Sequence, residues 1–98
     1  MKEIKLNIYS DCTSEKPAKT DTVRRMLFKT AKELGALQEE SKTAKDEDQV
    51  ALTAKMLKCV ISDFDEADLD GVDPVELGGF FRDLGAEISG VVQTAAKN

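Results

Sequence analysis

Apolar and polar residues alternate in the opening stretch KEIKLNIY, residues 2–9. Ile4, Leu6 and Ile8 fall on one side of an extended chain. Glu3, Lys5, Asn7 and Tyr9 fall on the other. A period of two with one apolar face predicts a half-buried β-strand. The polar stretch SDCTSEKPAK, which contains Pro17, predicts a turn. KTDTV, residues 19–23, is expected to return as a second strand, because Thr and Val suit a pleated surface. The expectation is a β-hairpin over about residues 2–23.

From about Thr22 the period changes. Val23, Met26, Leu27, Ala31 and Leu34 fall at i, i+3, i+4, i+8 and i+11, the spacing of one helix face. This predicts a helix over about residues 22–40, with Gly35 weakening it without ending it. ESKTAKDED, residues 40–48, lacks apolar anchors and reads as a solvated linker. Asp46 followed by Gln49 resembles a capping box. A second helix is expected over 46–65, with Val50, Ala54, Leu57, Ile61 and Phe64 as its stripe and Ala51, Cys59 and Val60 widening it. A third is expected over 74–95, with Leu77, Phe80, Phe81, Leu84, Ile88, Val91 and Ala95 at helical spacing. Gly78, Gly79, Gly85 and Gly90 lie inside it, where each costs backbone entropy. Small residues there could let another helix approach closely. The fold class is therefore α+β: an N-terminal hairpin followed by about three amphipathic helices in one domain of residues 1–98.

The acid-rich stretch DLDGVDPVE, residues 68–76, raises the question of a calcium loop. Such a loop needs oxygen ligands at positions 1, 3 and 5, Gly at 6 and a bidentate Glu at 12. With Gly71 at position 6, Glu66, Asp68 and Asp70 fill the first three ligand positions. Position 12 is then Leu77, which has no oxygen to offer, and Glu76 comes one residue early. A helix start explains more of these residues. Asp73 can cap free backbone N–H groups. Pro74 suits the first helical position. Glu76 can reach back to the cap's own N–H and faces the positive helix end. Gly71 then permits the chain reversal between two helices.

Composition narrows the chemistry. The chain has 98 residues, with 14 Lys plus Arg against 19 Asp plus Glu, a net charge of −5. That balance disfavours nonspecific nucleic-acid binding, which needs a basic face. No apolar run approaches the ~20 residues of a membrane span, and the N-terminal stretch lacks a signal-peptide core. A cytoplasmic location is expected. Cys12 and Cys59 have no metal-ligand spacing and read as reduced, incidental thiols. There is no His and no Trp, which removes the commonest general base and the commonest zinc ligand. No catalytic, cofactor-binding or metal residue is assigned. Arg24, Arg25, Lys29 and Lys32 form a small basic group, either the wet face of the first helix or a contact for an acidic partner. Phe80 and Phe81 are adjacent and so project about 100° apart on a helix. One should belong to the core and the other could be exposed.

The opening KEIKLNIY, the acidic helical middle, the joint DGVDPVEL and the apolar ELGGFFRDL region together resemble the small tail assembly chaperones of long-tailed bacteriophages and prophages of Gram-positive bacteria. The resemblance covers most of the chain. It departs from the family in the long loop SDCTSEKPAK. It implies a non-enzymatic protein acting in the host bacterial cytoplasm. It implies the tape-measure protein as the partner during tail morphogenesis, with the tail tube protein as a second client, and no cofactor, nucleic acid or membrane. The residues themselves are compatible with that role and leave alternatives: a small protein-binding adaptor or inhibitor, a calcium-responsive module, or an enzyme using carboxylates alone. The expected partner or self-association surface comprises Leu57, Ile61, Leu77, Phe80, Phe81, Leu84 and Ile88.

Overall fold

The computed structural model describes residues 3–97, with side chains for residues 3–90. It is an α+β fold in the order β1 (Ile4–Ile8), β2 (Lys19–Val23), α1 (Phe28–Thr43), α2 (Asp46–Val60), a 3-10 helix (Glu66–Gly71) and α3 (Pro74–Lys97). The strands form an antiparallel pair in which Ile4 faces Val23, Leu6 faces Asp21 and Ile8 faces Lys19. Alternation puts Ile4, Leu6, Ile8 and Val23 on one buried face, as the period of two requires. A lone hairpin is marginal in water. This one is held by burying that face with Leu57, Ile61, Phe64, Phe80 and Leu84. Each such side chain contributes about 1.5–3 kcal/mol when removed from water.

α1 starts at Phe28, six residues after the expected Thr22. Val23 fits the helical stripe and the strand face equally well, and pairing with Ile4 decides for the strand. Within α1, Ala31 and Leu34 are buried, whereas Leu27 is exposed. The expected linker 40–48 is mostly helical: α1 runs to Thr43, and only Ala44 and Lys45 separate it from α2. Asp46 is not the cap. The cap position is Lys45, and Asp46, Glu47 and Asp48 occupy the first turn, where negative charge suits the positive helix end. Gln49 does other work. Its side-chain amide donates to the carbonyls of Ser41 at 2.6 Å, which also accepts from the Ala44 N–H, and of Ala44 at 3.3 Å, fastening the end of α1 to α2.

α2 ends at Val60, before the expected residue 65. Leu52, Ala54, Met56 and Leu57 are its buried residues. Val50, placed in the stripe by spacing, is exposed. The chain beyond α2 stays on the core through Ile61 and Phe64, both buried. Residues 66–71, expected as a loop, wind into the 3-10 helix. The Asp65 N–H donates to Asp68 Oδ2 at 3.1 Å, and the Asp68 N–H returns to the Asp65 carbonyl at 2.9 Å. Asp68 therefore serves as a local backbone acceptor. Among the described residues no group of three or more Cys, Asp or Glu side chains is arranged to hold a metal ion.

Candidate functional site

The seven residues expected to form a partner surface divide sharply. Leu57, Ile61, Phe80 and Leu84 are buried in the core, so a partner could reach them only by opening the fold. Leu77 and Phe81 are half-buried and pack against that core. Ile88 is half-buried further along α3. The two phenylalanines are thereby sorted. Phe80 is the core ring and Phe81 meets it edge-on, with centroids 5.9 Å apart and an interplanar angle of 70°. Val91 and Ala95 lie outside the residues whose side chains are described. Gly78, Gly79 and Gly85 do not serve a helix contact in the folded chain: a Cβ built on any of them meets nothing within 4 Å.

The joint before α3 carries more structure than its local sequence announces. Asp73 caps the helix as expected, accepting from the Val75 N–H at 2.8 Å. Glu76 does not reach back to the cap. Its carboxylate accepts from the Asn7 side-chain amide at 2.9 Å and from the Tyr9 hydroxyl at 2.8 Å. Asn7 in turn accepts from the Thr20 hydroxyl at 2.9 Å. The polar face of the hairpin is thus tied to the first turn of α3. The bond to Glu76 is also the main reason the Tyr9 hydroxyl titrates above its ordinary range, because losing the proton would set two negative groups side by side.

Gly71 has a different reason from the one its local sequence suggests. Its φ is not positive. Its carbonyl accepts from the Tyr9 N–H at 2.7 Å, and an added Cβ would stand 2.5 Å from the Tyr9 carbonyl oxygen and 2.8 Å from Ile8 Cγ2. Glycine is there because two main chains touch.

This contact closes one side of an open cavity of about 490 Å³ between the hairpin loop and the joint. Its carboxylates are Asp11, Glu15, Asp70, Asp73 and Glu76, with Tyr9 and Cys12 also on the wall. The loop is shaped by Asp11, whose carboxylate accepts from the Thr13 N–H at 2.8 Å and from the Thr13 hydroxyl. Those bonds hold the Asp11 carboxyl below its usual range. Sequence reasoning missed this cavity, since it joins segments about sixty residues apart. No local pattern in the sequence marks it, because Gly71 at the end of the 3-10 helix reads as an ordinary joint residue until Tyr9 is placed against it.

On the opposite side, Lys19 gathers three acids. Its ammonium lies 3.7 Å from Asp21, 4.0 Å from Asp63 and 3.7 Å from Asp68. Asp21 sits on the core face of the hairpin, opposite Leu6, with only 8% of its surface exposed. Among the described residues its second oxygen has no hydrogen-bond partner. Burial raises the Asp21 carboxyl above its usual range despite Lys19, and the negative charges of Asp63 and Asp68 add to the rise. The Cys59 thiol is also raised, by burial first and then by Glu33.

Comparison with protein-family models, with curated proteins and with solved structures finds no match to this chain. Among the described residues no helix is long and apolar enough to cross a membrane.

Proposed function

We propose that this chain is a non-enzymatic protein-binding module that acts as a phage tail assembly chaperone in the host bacterial cytoplasm. Its client on this reading is the tape-measure protein, with the tail tube protein as a second contact. The outer edge of the α3 stripe supports the reading. Leu84 is the last buried side chain among the residues whose side chains are described, and α3 carries on beyond it. Ile88 is half-exposed on that extension, in line with Phe81 and Leu84 at helical spacing. An amphipathic helix that leaves part of its apolar stripe uncovered can lay it along an elongated helical client. The family resemblance supplies the client's identity. The surface is narrower than the sequence suggests and centres on Ile88 and the outer edge of Phe81.

The test is co-expression with the tape-measure protein of the same phage or prophage. The parent chain is expected to co-purify with it. Ile88→Asp is expected to melt like the parent and to lose the client. If the parent does not co-purify, the client is wrong. If Ile88→Asp still binds and tails still assemble, α3 is not the surface.

A further inference from the structure

The first turn of α1 carries a patch that neither the core nor the α3 surface accounts for. Leu27 is 58% exposed and Phe28 is 53% exposed, two large apolar side chains next to each other in the chain. Among the described residues the other large exposed apolar side chains, Val50 and Val75, stand singly on other helices. Single exposed apolar residues are ordinary, whereas an adjacent pair flanked in the chain by several exposed cations is a more specific arrangement.

The cations are Arg24, Arg25, Lys29 and Lys32, which all lie within four residues of the pair in the chain and are exposed. Lys32 stands 5.7 Å from the centre of the Phe28 ring, so its ammonium is held over the aromatic face. Arg24 lies 3.6 Å from Glu3, while Arg25 and Lys29 make no ion pair among the described residues. The first turn of α1 has no acid to offset the positive helix end, and the cap position Leu27 offers no side-chain acceptor. All this sits on a chain of net charge −5, where cations are the minority.

We propose that Arg24, Arg25, Leu27, Phe28, Lys29 and Lys32 form a docking site for an acidic protein segment that also carries an apolar side chain. The charge selects acids, and the exposed Leu–Phe pair needs an apolar counterpart. A nucleic-acid backbone supplies the first without the second, and the acidic remainder of this chain repels a long polyanion. A membrane surface would meet only two apolar side chains on a single helical turn, too few for a stable amphipathic anchor. The site is separate from α3 and stands or falls independently of the chaperone reading.

The probe is a short synthetic peptide alternating Glu with Leu and Phe, its binding to the full chain followed by fluorescence anisotropy. Controls are an all-Glu peptide, duplex DNA and vesicles containing anionic lipid. The mixed peptide is expected to bind saturably, more tightly than every control, and to weaken as salt rises. Phe28→Ser, and separately the double change Arg25→Glu and Lys29→Glu, are expected to weaken it by about tenfold or more with melting unchanged. Both variants alter exposed side chains, so loss of fold is not expected. No binding of the mixed peptide, equal binding by the variants, or tighter binding of DNA or vesicles would each overturn the site.

Discussion

The main-chain N–H of Tyr9 donates to the carbonyl of Gly71 at 2.7 Å, so the end of β1 and the end of the 3-10 helix lie in direct contact. A methyl group on Gly71 would stand 2.5 Å from the Tyr9 carbonyl oxygen, which is main chain and cannot swing aside. Gly71→Ala is expected to destabilise by about 1–3 kcal/mol, the usual range for forced overpacking. Urea denaturation measures it. An unchanged midpoint would mean that the hairpin loop yields instead.

The cap at α3 predicts an asymmetry between two neighbours. Asp73→Ala removes the acceptor of the Val75 N–H and should cost about 1 kcal/mol. Pro74→Ala leaves every hydrogen bond in place and should cost less. Denaturation of the two variants side by side decides, and equal losses would show that the proline, not the cap, fixes the helix start.

Phe80 and Phe81 should behave differently despite being adjacent. Phe80→Ala empties a buried site and is expected to cost about 3–5 kcal/mol. Phe81→Ala removes a half-buried ring that meets Phe80 edge-on and should cost clearly less. Thermal melts followed by circular dichroism test the order, and a reversed order would put Phe81 at the centre of the core.

Asp21 gives a pH signature. Its carboxyl is raised by burial, so the folded chain holds that proton more tightly than the unfolded chain. The stabilisation from protonated Asp21 is complete below the ordinary value of 3.8 and is lost as pH rises through the raised value. Asp21→Asn should therefore be at least as stable as the parent at neutral pH. The difference between the two should shrink as pH falls toward the ordinary carboxylate range. Denaturation across that window tests it, and a difference that does not change with pH would place Asp21 in water. Comparing the two chains cancels Asp11, whose lowered carboxyl works in the opposite sense.

The elements that could be read in advance are those whose pattern is decided locally. Ile4, Leu6 and Ile8 announce a strand face, and Asp73-Pro74 announces a helix start. Errors arose where distant partners compete with local pattern. Val23 satisfies both a helical stripe and a strand face, and only its pairing with Ile4 resolves the choice. Glu76 satisfies a capping motif, but Asn7 and Tyr9 take its carboxylate. Gln49 likewise leaves its own helix to bond the end of α1. For the partner surface, helical spacing marks Phe80, Leu84 and Ile88 alike, because periodicity shows which residues share a stripe but not where the core beneath that stripe ends. The exposed pair at Leu27 and Phe28 was hidden in the same way, with Leu27 absorbed into a stripe that begins one element too early.

The bonds from Asn7 and Tyr9 to Glu76 span 69 and 67 residues of chain. A ribosome adding about 5–20 residues per second takes roughly 3–14 s to cover that distance. For that interval the newborn hairpin can pair its strands but cannot cover Ile4, Leu6 and Ile8 with Phe80 and Leu84, which emerge later still. A polypeptide released early, ahead of Pro74, would hold Leu57, Ile61 and Phe64 but lack Phe80 and Leu84, so that apolar face would be only partly covered and open to proteases and folding helpers. Emergence of α3 is thus the step that completes the cover over the hairpin.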